Sequence, residues 1–302
     1  MGDGALGDSL LKEALVAIAG EVDGAFDALL PVSDDARARL YEAMRYAAIG
    51  GGKRLRPLLL TAVAGMYGVQ REAAIRAAIA LESIHVYSLI HDDLPCMDDD
   101  ALRHGKPTLH LAFDESAAVL AGDSLHDFAF EVLSDPATSA DPFTRIELVR
   151  VLATSSGAEG MAGGQMMDLV AETSEFDLHT ITRLQQLKTG ALLGAAVEMG
   201  AILGHVPPEG RTHLRSYARD IGLAFQIADD LIDHEGDAEV AGKAVGKDAD
   251  AGKATFVSLM GADRAREQAR MLVEQAVGHL SGHGEEADLL RCVARYIVER
   301  DH

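Results

Sequence analysis

Two tight groups of aspartates, each closing an apolar run, set the strongest limit on what this chain can be. Asp92-Asp93-Leu94-Pro95-Cys96-Met97-Asp98 follows an apolar stretch ending at His91, and Asp229-Asp230-Leu231-Ile232-Asp233 follows the apolar run 221–228. Apolar runs belong in an interior, where crowded carboxylates repel one another and lose their hydration. Folding alone does not favour two such groups. Mg²⁺ does, because it takes one or two carboxylates and completes its shell with water and phosphate oxygens. The chain therefore reads first as an enzyme acting on a diphosphate ester through bridging magnesium.

The rest of the sequence points to helices. Apolar residues make up 48% of the chain, enough for a sizeable core, and the low aromatic content without any Trp suits close-packed helices better than sheets. No sustained strand alternation and no solenoid repeat is present. Apolar periodicity predicts helices over 8–30, 34–49, 57–67, 71–91, 111–133, 142–170, 177–203, 209–233, 256–280 and 285–300. Ser33 suits an N-cap and Pro57 a first turn. Breaks fall at Gly50-Gly51-Gly52, Leu94-Pro95, Ser134-Asp135-Pro136 and His205-Val206-Pro207-Pro208. No linker is long or polar enough to separate domains, so the expectation is one all-α domain, 1–302, with helices around a deep central cavity.

A formal net charge of −21 excludes nucleic acid as a partner, since no basic face survives that excess. A phosphate substrate then needs local cations or metal. Cys96 and Cys292 cannot build a disulfide framework, which suits a reducing cytoplasm. The first residues lack the basic start of a signal peptide, and no apolar run reads as long and unbroken enough for a bilayer. The expectation is a soluble, cytoplasmic protein.

Asp229 and Asp233 stand four apart and share a helix face, while Asp230 points about 100° away. In the first group Pro95 cannot donate a backbone hydrogen bond, so the helix should bulge and bring Asp98 back toward Asp92. Arg103-His104-Gly105-Lys106 follows at once, placing phosphate-seeking cations beside metal-seeking carboxylates. Gly50-Gly51-Gly52-Lys53-Arg54-Leu55-Arg56-Pro57 offers close backbone approach, a helix N-terminus for an anion, a bidentate Arg56 and a point charge at Lys53. It is no P-loop, because the required spacing is missing. The irregular stretch 234–254, with Lys243, Lys247 and Lys253 among glycines, suits a lid over a diphosphate.

Taken in order, GGKRLRP (51–57), ESIHVYSLIHDDLPCMDDD (82–100), GMAGGQMMDL (160–169), KTGALL (188–193) and GLAFQIADDLID (222–233) resemble the short-chain trans-polyprenyl diphosphate synthases, nearest to the bacterial farnesyl diphosphate synthases. The resemblance implies an all-α isoprenoid-synthase fold, usually a homodimer, with isopentenyl diphosphate and an allylic diphosphate as substrates and three Mg²⁺ as cofactor. It implies metal ligands at Asp92, Asp98, Asp229 and Asp233, with Asp93 alongside. Arg103, Lys188 and Lys243 would grip the allylic diphosphate, with Lys253 in the same lysine-rich stretch. Lys53, Arg56, His85 and His104 would hold isopentenyl diphosphate. Thr189 and Gln226 would lie near the developing cation, with Gln165 and Asp168 in support. Tyr87, five residues before Asp92 and so about 7 Å deeper along a helix, would with Ser88 floor the cavity and stop growth at the fifteen-carbon farnesyl product.

His104 departs from the family, which usually carries a second arginine there. A histidine binds phosphate at full charge only when protonated, so the Michaelis constant for isopentenyl diphosphate should depend on pH. Three other readings compete. A geranylgeranyl product would keep the chemistry and lengthen the chain. A terpene cyclase needs no second diphosphate site and usually has an aromatic-rich cavity, against eight Phe and six Tyr here. A non-catalytic regulatory subunit should have lost metal ligands.

Overall fold

The computed structural model describes residues 3–235 and 254–299. Lys243, Lys247 and Lys253, and with them most of the expected lid, lie outside the described residues. The all-α expectation is met. The helices are α1 (Asp3–Leu29), α2 (Ala38–Ala48), α3 (Leu55–Met66), α4 (Arg71–Asp92), α5 (Leu109–Ala112), α6 (Glu115–Ser134), α7 (Pro142–Ser156), α8 (Met161–Ala171), α9 (Leu178–Gln185), α10 (Ala191–Leu203), α11 (Thr212–Glu235), α12 (Phe256–Met260), α13 (Ala262–His279) and α14 (Asp288–Glu299). The chain divides into two compact units. One holds 12–150 with 202–205, and the other holds 1–11, 151–201 and 206–302.

In the first unit α4 packs against both α3 and α6. Its residues Ala77 to Leu81 are fully buried in succession, so it is apolar all round rather than on one stripe. By length and composition α4 could cross a membrane, which amends the sequence reading, but it is largely buried among its neighbours and Glu82 sits within it. It reads as a core helix. In the second unit α11 packs on α13 and α14, and fully buried Tyr217 donates to the Leu290 carbonyl at 2.8 Å.

Several predicted elements are divided. The expected 111–133 helix is broken at Phe113 and Asp114, which separate the short α5 from α6, and Asp114 caps α6 by accepting from the Ala117 N–H at 2.7 Å. The expected 142–170 helix breaks at 157–160, and the expected 256–280 helix breaks at Gly261, whose φ of 85° side chains resist. Ser33 is not a helix cap. Its hydroxyl accepts from the Asp35 N–H at 3.2 Å, and α2 starts only at Ala38. A small antiparallel pair, β1 (Leu102–Arg103) and β2 (Lys106–Pro107), was not expected from the strand pattern. His104 and Gly105 between them have φ of 52° and 76°, which is the two-residue turn whose twist matches a hairpin.

Candidate active site

The first unit gathers both basic segments and the first aspartate group. Rather than bulging, α4 stops at Asp92, and the following turn closes on itself: the Asp98 N–H donates to the Asp92 carbonyl at 2.8 Å, and the Asp99 N–H to the Leu94 carbonyl at 3.2 Å. Asp98 thus returns beside Asp92 as expected, by a different local geometry. Asp98 is exposed and Asp92 half-buried, whereas Asp93 is buried and turned to Arg103. Arg103 donates Nε to Asp93 Oδ1 at 3.0 Å, a second nitrogen to the same oxygen, and Nη2 to Asp100 Oδ2 at 3.2 Å. Burial pushes the Asp93 carboxyl above its usual range, and Arg103 opposes that rise.

The hairpin lies on the glycine loop. A Cβ at Gly51 would come within 3.4 Å of the His104 ring, one at Gly52 within 3.5 Å, and one at Gly50 within 3.4 Å of Lys106 Nζ. The Tyr46 hydroxyl ties the arrangement down by donating to the Pro107 carbonyl at 2.9 Å. Lys53 is exposed and Arg56 half-buried at the start of α3. Between them Arg54, which sequence reasoning passed over, is buried in a left-handed conformation (φ 51°) and holds Glu82 at 2.8 Å, Asp23 at 2.9 Å and the Ala48 carbonyl at 2.5 Å. Burial, then the charges of Arg56 and His104, push the His85 imidazole well below its ordinary value. Burial, then Arg103 and Arg54, lower His104 too, while Glu82 and Asp93 act the other way.

Tyr87 packs edge-on to His91 (5.7 Å between centroids) and to His126 of α6 (5.2 Å), and His126 meets Phe130 at 5.1 Å. Ser88 turns back on its own helix and donates to the His85 carbonyl at 2.8 Å.

The second unit builds its groups on a π-turn, Gln186–Gly190, set between α9 and α10. One extra residue in a helical turn shifts the side chains that follow, and such insertions are frequent at functional sites. A Cβ at Gly164 would lie 2.1 Å from the Lys188 backbone nitrogen, and one at Gly222 would lie 3.3 Å from the Gly190 Cα. Glycine at both positions lets α8 and α11 close on the turn. Lys188 Nζ donates to Asp168 Oδ2 at 2.8 Å, and Thr189 Oγ1 donates to Gln226 Oε1 at 3.3 Å. The side-chain amide of Gln165 is buried and finds no hydrogen-bond partner among the described residues. Asp229 and Asp233 are half-buried one turn apart on α11. Asp230 is buried, accepting from Gln226 Nε2 at 3.1 Å and from the Phe256 N–H at 2.8 Å.

Among the described residues, no three His, Cys, Asp or Glu side chains converge as a metal cage. The aspartates lie in pairs along the backbone instead, Asp92 with Asp98 through the closed turn and Asp229 with Asp233 one helical turn apart. Hard oxygen donors in pairs suit Mg²⁺, which draws the remainder of its shell from water and phosphate. A caged structural ion would need more ligands from the protein.

Known proteins are similar to this chain over most of its length. Residues 37–295 match the polyprenyl synthetase family. The farnesyl diphosphate synthase of Escherichia coli is 42% identical over 294 residues, which is 96% of this chain and 97% of that protein. The chloroplastic geranylgeranyl pyrophosphate synthase of Capsicum annuum is 43% identical over 87% of this chain and 72% of its own length. The apo crystal structure of an FPP/GFPP synthase from Zymomonas mobilis is 57% identical, with a TM-score of 0.88 over 96% of this chain and 99% of that one.

Proposed function

Because the chain belongs to the polyprenyl synthetase family, we propose that it is a trans-prenyltransferase that condenses isopentenyl diphosphate with dimethylallyl or geranyl diphosphate to give farnesyl diphosphate. The observation that carries the reading is the closed turn from Asp92 to Asp98, with Arg103 anchored beside it by Asp93 and Asp100. Two carboxylates in one turn, with a fixed guanidinium beside them, suit a magnesium-bound diphosphate.

In this reading Asp92 and Asp98 hold two Mg²⁺ and Asp229, with Asp233, a third. Magnesium, when bound, neutralises the leaving diphosphate so that the allylic carbon–oxygen bond can ionise. Arg103 and Lys188 bind the allylic diphosphate, each held in place by carboxylates, Asp93 and Asp100 for the first and Asp168 for the second. Lys243 and Lys253 serve the same diphosphate. Lys53, Arg56, His85 and His104 hold isopentenyl diphosphate. Its double bond attacks the allylic cation, and a proton then leaves to the departing diphosphate. Thr189 and Gln226 present oxygen to the cation, and the buried amide of Gln165 has hydrogen bonds to offer a bound group. An apolar surround keeps out water, which would trap the cation as an alcohol.

Tyr87, backed by His126 and His91, is proposed as the floor that ends growth at fifteen carbons. The chain is read as one polyprenyl synthase domain, 1–302, acting in the cytoplasm as a homodimer. Val119 and Leu120 of α6 and Phe143 and Ile146 of α7 are exposed apolar side chains, which supports burial of apolar surface against a second copy.

The test is incubation with isopentenyl diphosphate and each of dimethylallyl, geranyl and farnesyl diphosphate, with and without Mg²⁺, sizing the products after removal of the diphosphate. Metal-dependent farnesyl product is expected. Geranylgeranyl product would keep the mechanism and move the floor. A folded protein that condenses nothing would overturn the reading in favour of a regulatory subunit.

A further inference from the structure

We propose that Asp230 is a positioning residue that decides which way the Gln226 amide faces, and so which of its atoms is offered to the developing cation. The inference rests on the reading above, that ionisation occurs beside Thr189 and Gln226. Four groups form a hydrogen-bonded line within one unit. Thr189 Oγ1 donates to Gln226 Oε1 (3.3 Å), Gln226 Nε2 donates to Asp230 Oδ1 (3.1 Å), and the Phe256 N–H donates to Asp230 Oδ2 (2.8 Å).

An amide has nearly the same shape either way round, so its neighbours choose its orientation. A hydroxyl such as Thr189 accepts either choice, because it both donates and accepts. A carboxylate only accepts. Asp230 therefore draws the NH₂ of Gln226 to itself and leaves the carbonyl oxygen on the Thr189 side. Asp230 cannot readily swing away, since it is 4% exposed and its other oxygen holds the first N–H of α12. The arrangement matters because a carbonyl oxygen stabilises a neighbouring cation, whereas an NH₂ group in its place opposes one. Asp230 points about 100° away from Asp229 around the helix, so its role differs from that of the proposed ligand beside it.

The substitution Asp230→Asn tests this by reversing the line without removing it. The introduced oxygen keeps the Phe256 N–H, and the introduced NH₂ faces Gln226, which must turn its oxygen toward it. Expected is a fall in kcat on the order of 100-fold, with KM for both diphosphates within about threefold of wild type, as befits a group that acts on the transition state alone. Adding Gln226→Glu restores an acceptor at both ends at unchanged net charge, so D230N/Q226E should recover most of the lost kcat. If D230N alone does not fold, the comparison of Q226E with D230N/Q226E carries the same test, since the second change should raise kcat. An independent readout is the Gln226 side-chain amide signal in ¹⁵N-glutamine-labelled protein, assigned by its loss in Q226E and expected to move in D230N without any substrate. Wild-type kcat in D230N would overturn the proposal. So would a loss that the second substitution leaves unrepaired, or an unmoved amide signal. Failure of the wild-type protein to condense any substrate would instead overturn the functional reading, and the amide signal would still report on the line.

Discussion

His104 shows how a single residue's environment turns into a pH dependence. It occupies the first left-handed position of the hairpin turn, where histidine is tolerated better than most residues, with its ring on Gly51 and Gly52. Burial, then Arg103 and Arg54, depress its protonation against the pull of Glu82 and Asp93, and His85 beside it is depressed further. A bound diphosphate favours the imidazolium and raises that pKa, so binding takes up a proton. Affinity is then fullest below the pKa of the unbound protein and is lost as pH rises through that of the complex. KM for isopentenyl diphosphate should climb with pH in the wild-type protein, and His104→Arg should flatten the climb; an identical profile in both would remove His104 from the site. Arg54 is the residue that the pattern GGKRLRP conceals, because nothing in the string separates the buried cation from Lys53 and Arg56. Its side chain is 2% exposed and that of Glu82 4%. Arg54→Ala strands a buried carboxylate and should cost about 3–5 kcal/mol, read as a lowered urea midpoint at unchanged slope.

At the scale of elements, the helices were legible from apolar spacing, while many of their interruptions were not. The turn Gln186–Gly190 is one residue out of step with an α-helix, a difference too small for a periodicity to register over so short a stretch. Its meaning comes from contact, since Gly164 admits the Lys188 backbone where no side chain fits. Gly164→Ala should push α8 off the turn, cost about 1–3 kcal/mol, and lower kcat by displacing Lys188 and Thr189; thermal unfolding and turnover together check this. On α4, Tyr87 was placed by its spacing from Asp92, but its partner His126, which in turn meets Phe130, comes from α6 and could not be read from α4 alone. Tyr87→Ala should shift the product toward longer chains, measured by sizing the released alcohols. An unaltered product would assign the floor to other residues. Ser88, bonded to its own helix, should matter less than Tyr87 in the same assay.

For the whole molecule, an acidic chain that binds an anion must concentrate its attraction locally, because a net charge of −21 repels a diphosphate at long range. With no three-acid cage among the described residues, Mg²⁺ alone should raise the melting temperature little. Mg²⁺ with inorganic diphosphate should raise it clearly, because the stability gained grows with ligand and reaches about 2.7 kcal/mol at one hundred times Kd. Equal shifts with and without diphosphate would mean that the metal sites are complete without the substrate. The sequence by itself determined the helical class, the paired aspartates and the cations beside them, because helix periodicity and metal chemistry act over a few neighbouring residues. The tertiary structure decided which member of each cluster does what. Asp93 and Asp230 are buried as anchors for Arg103 and for Gln226 with Phe256, while Asp92, Asp98, Asp229 and Asp233 keep exposed surface. The physical reason is that burial and hydrogen-bond partners come from segments distant in the chain, and those partners, not residue type, turn one aspartate into a candidate ligand and the next into a support.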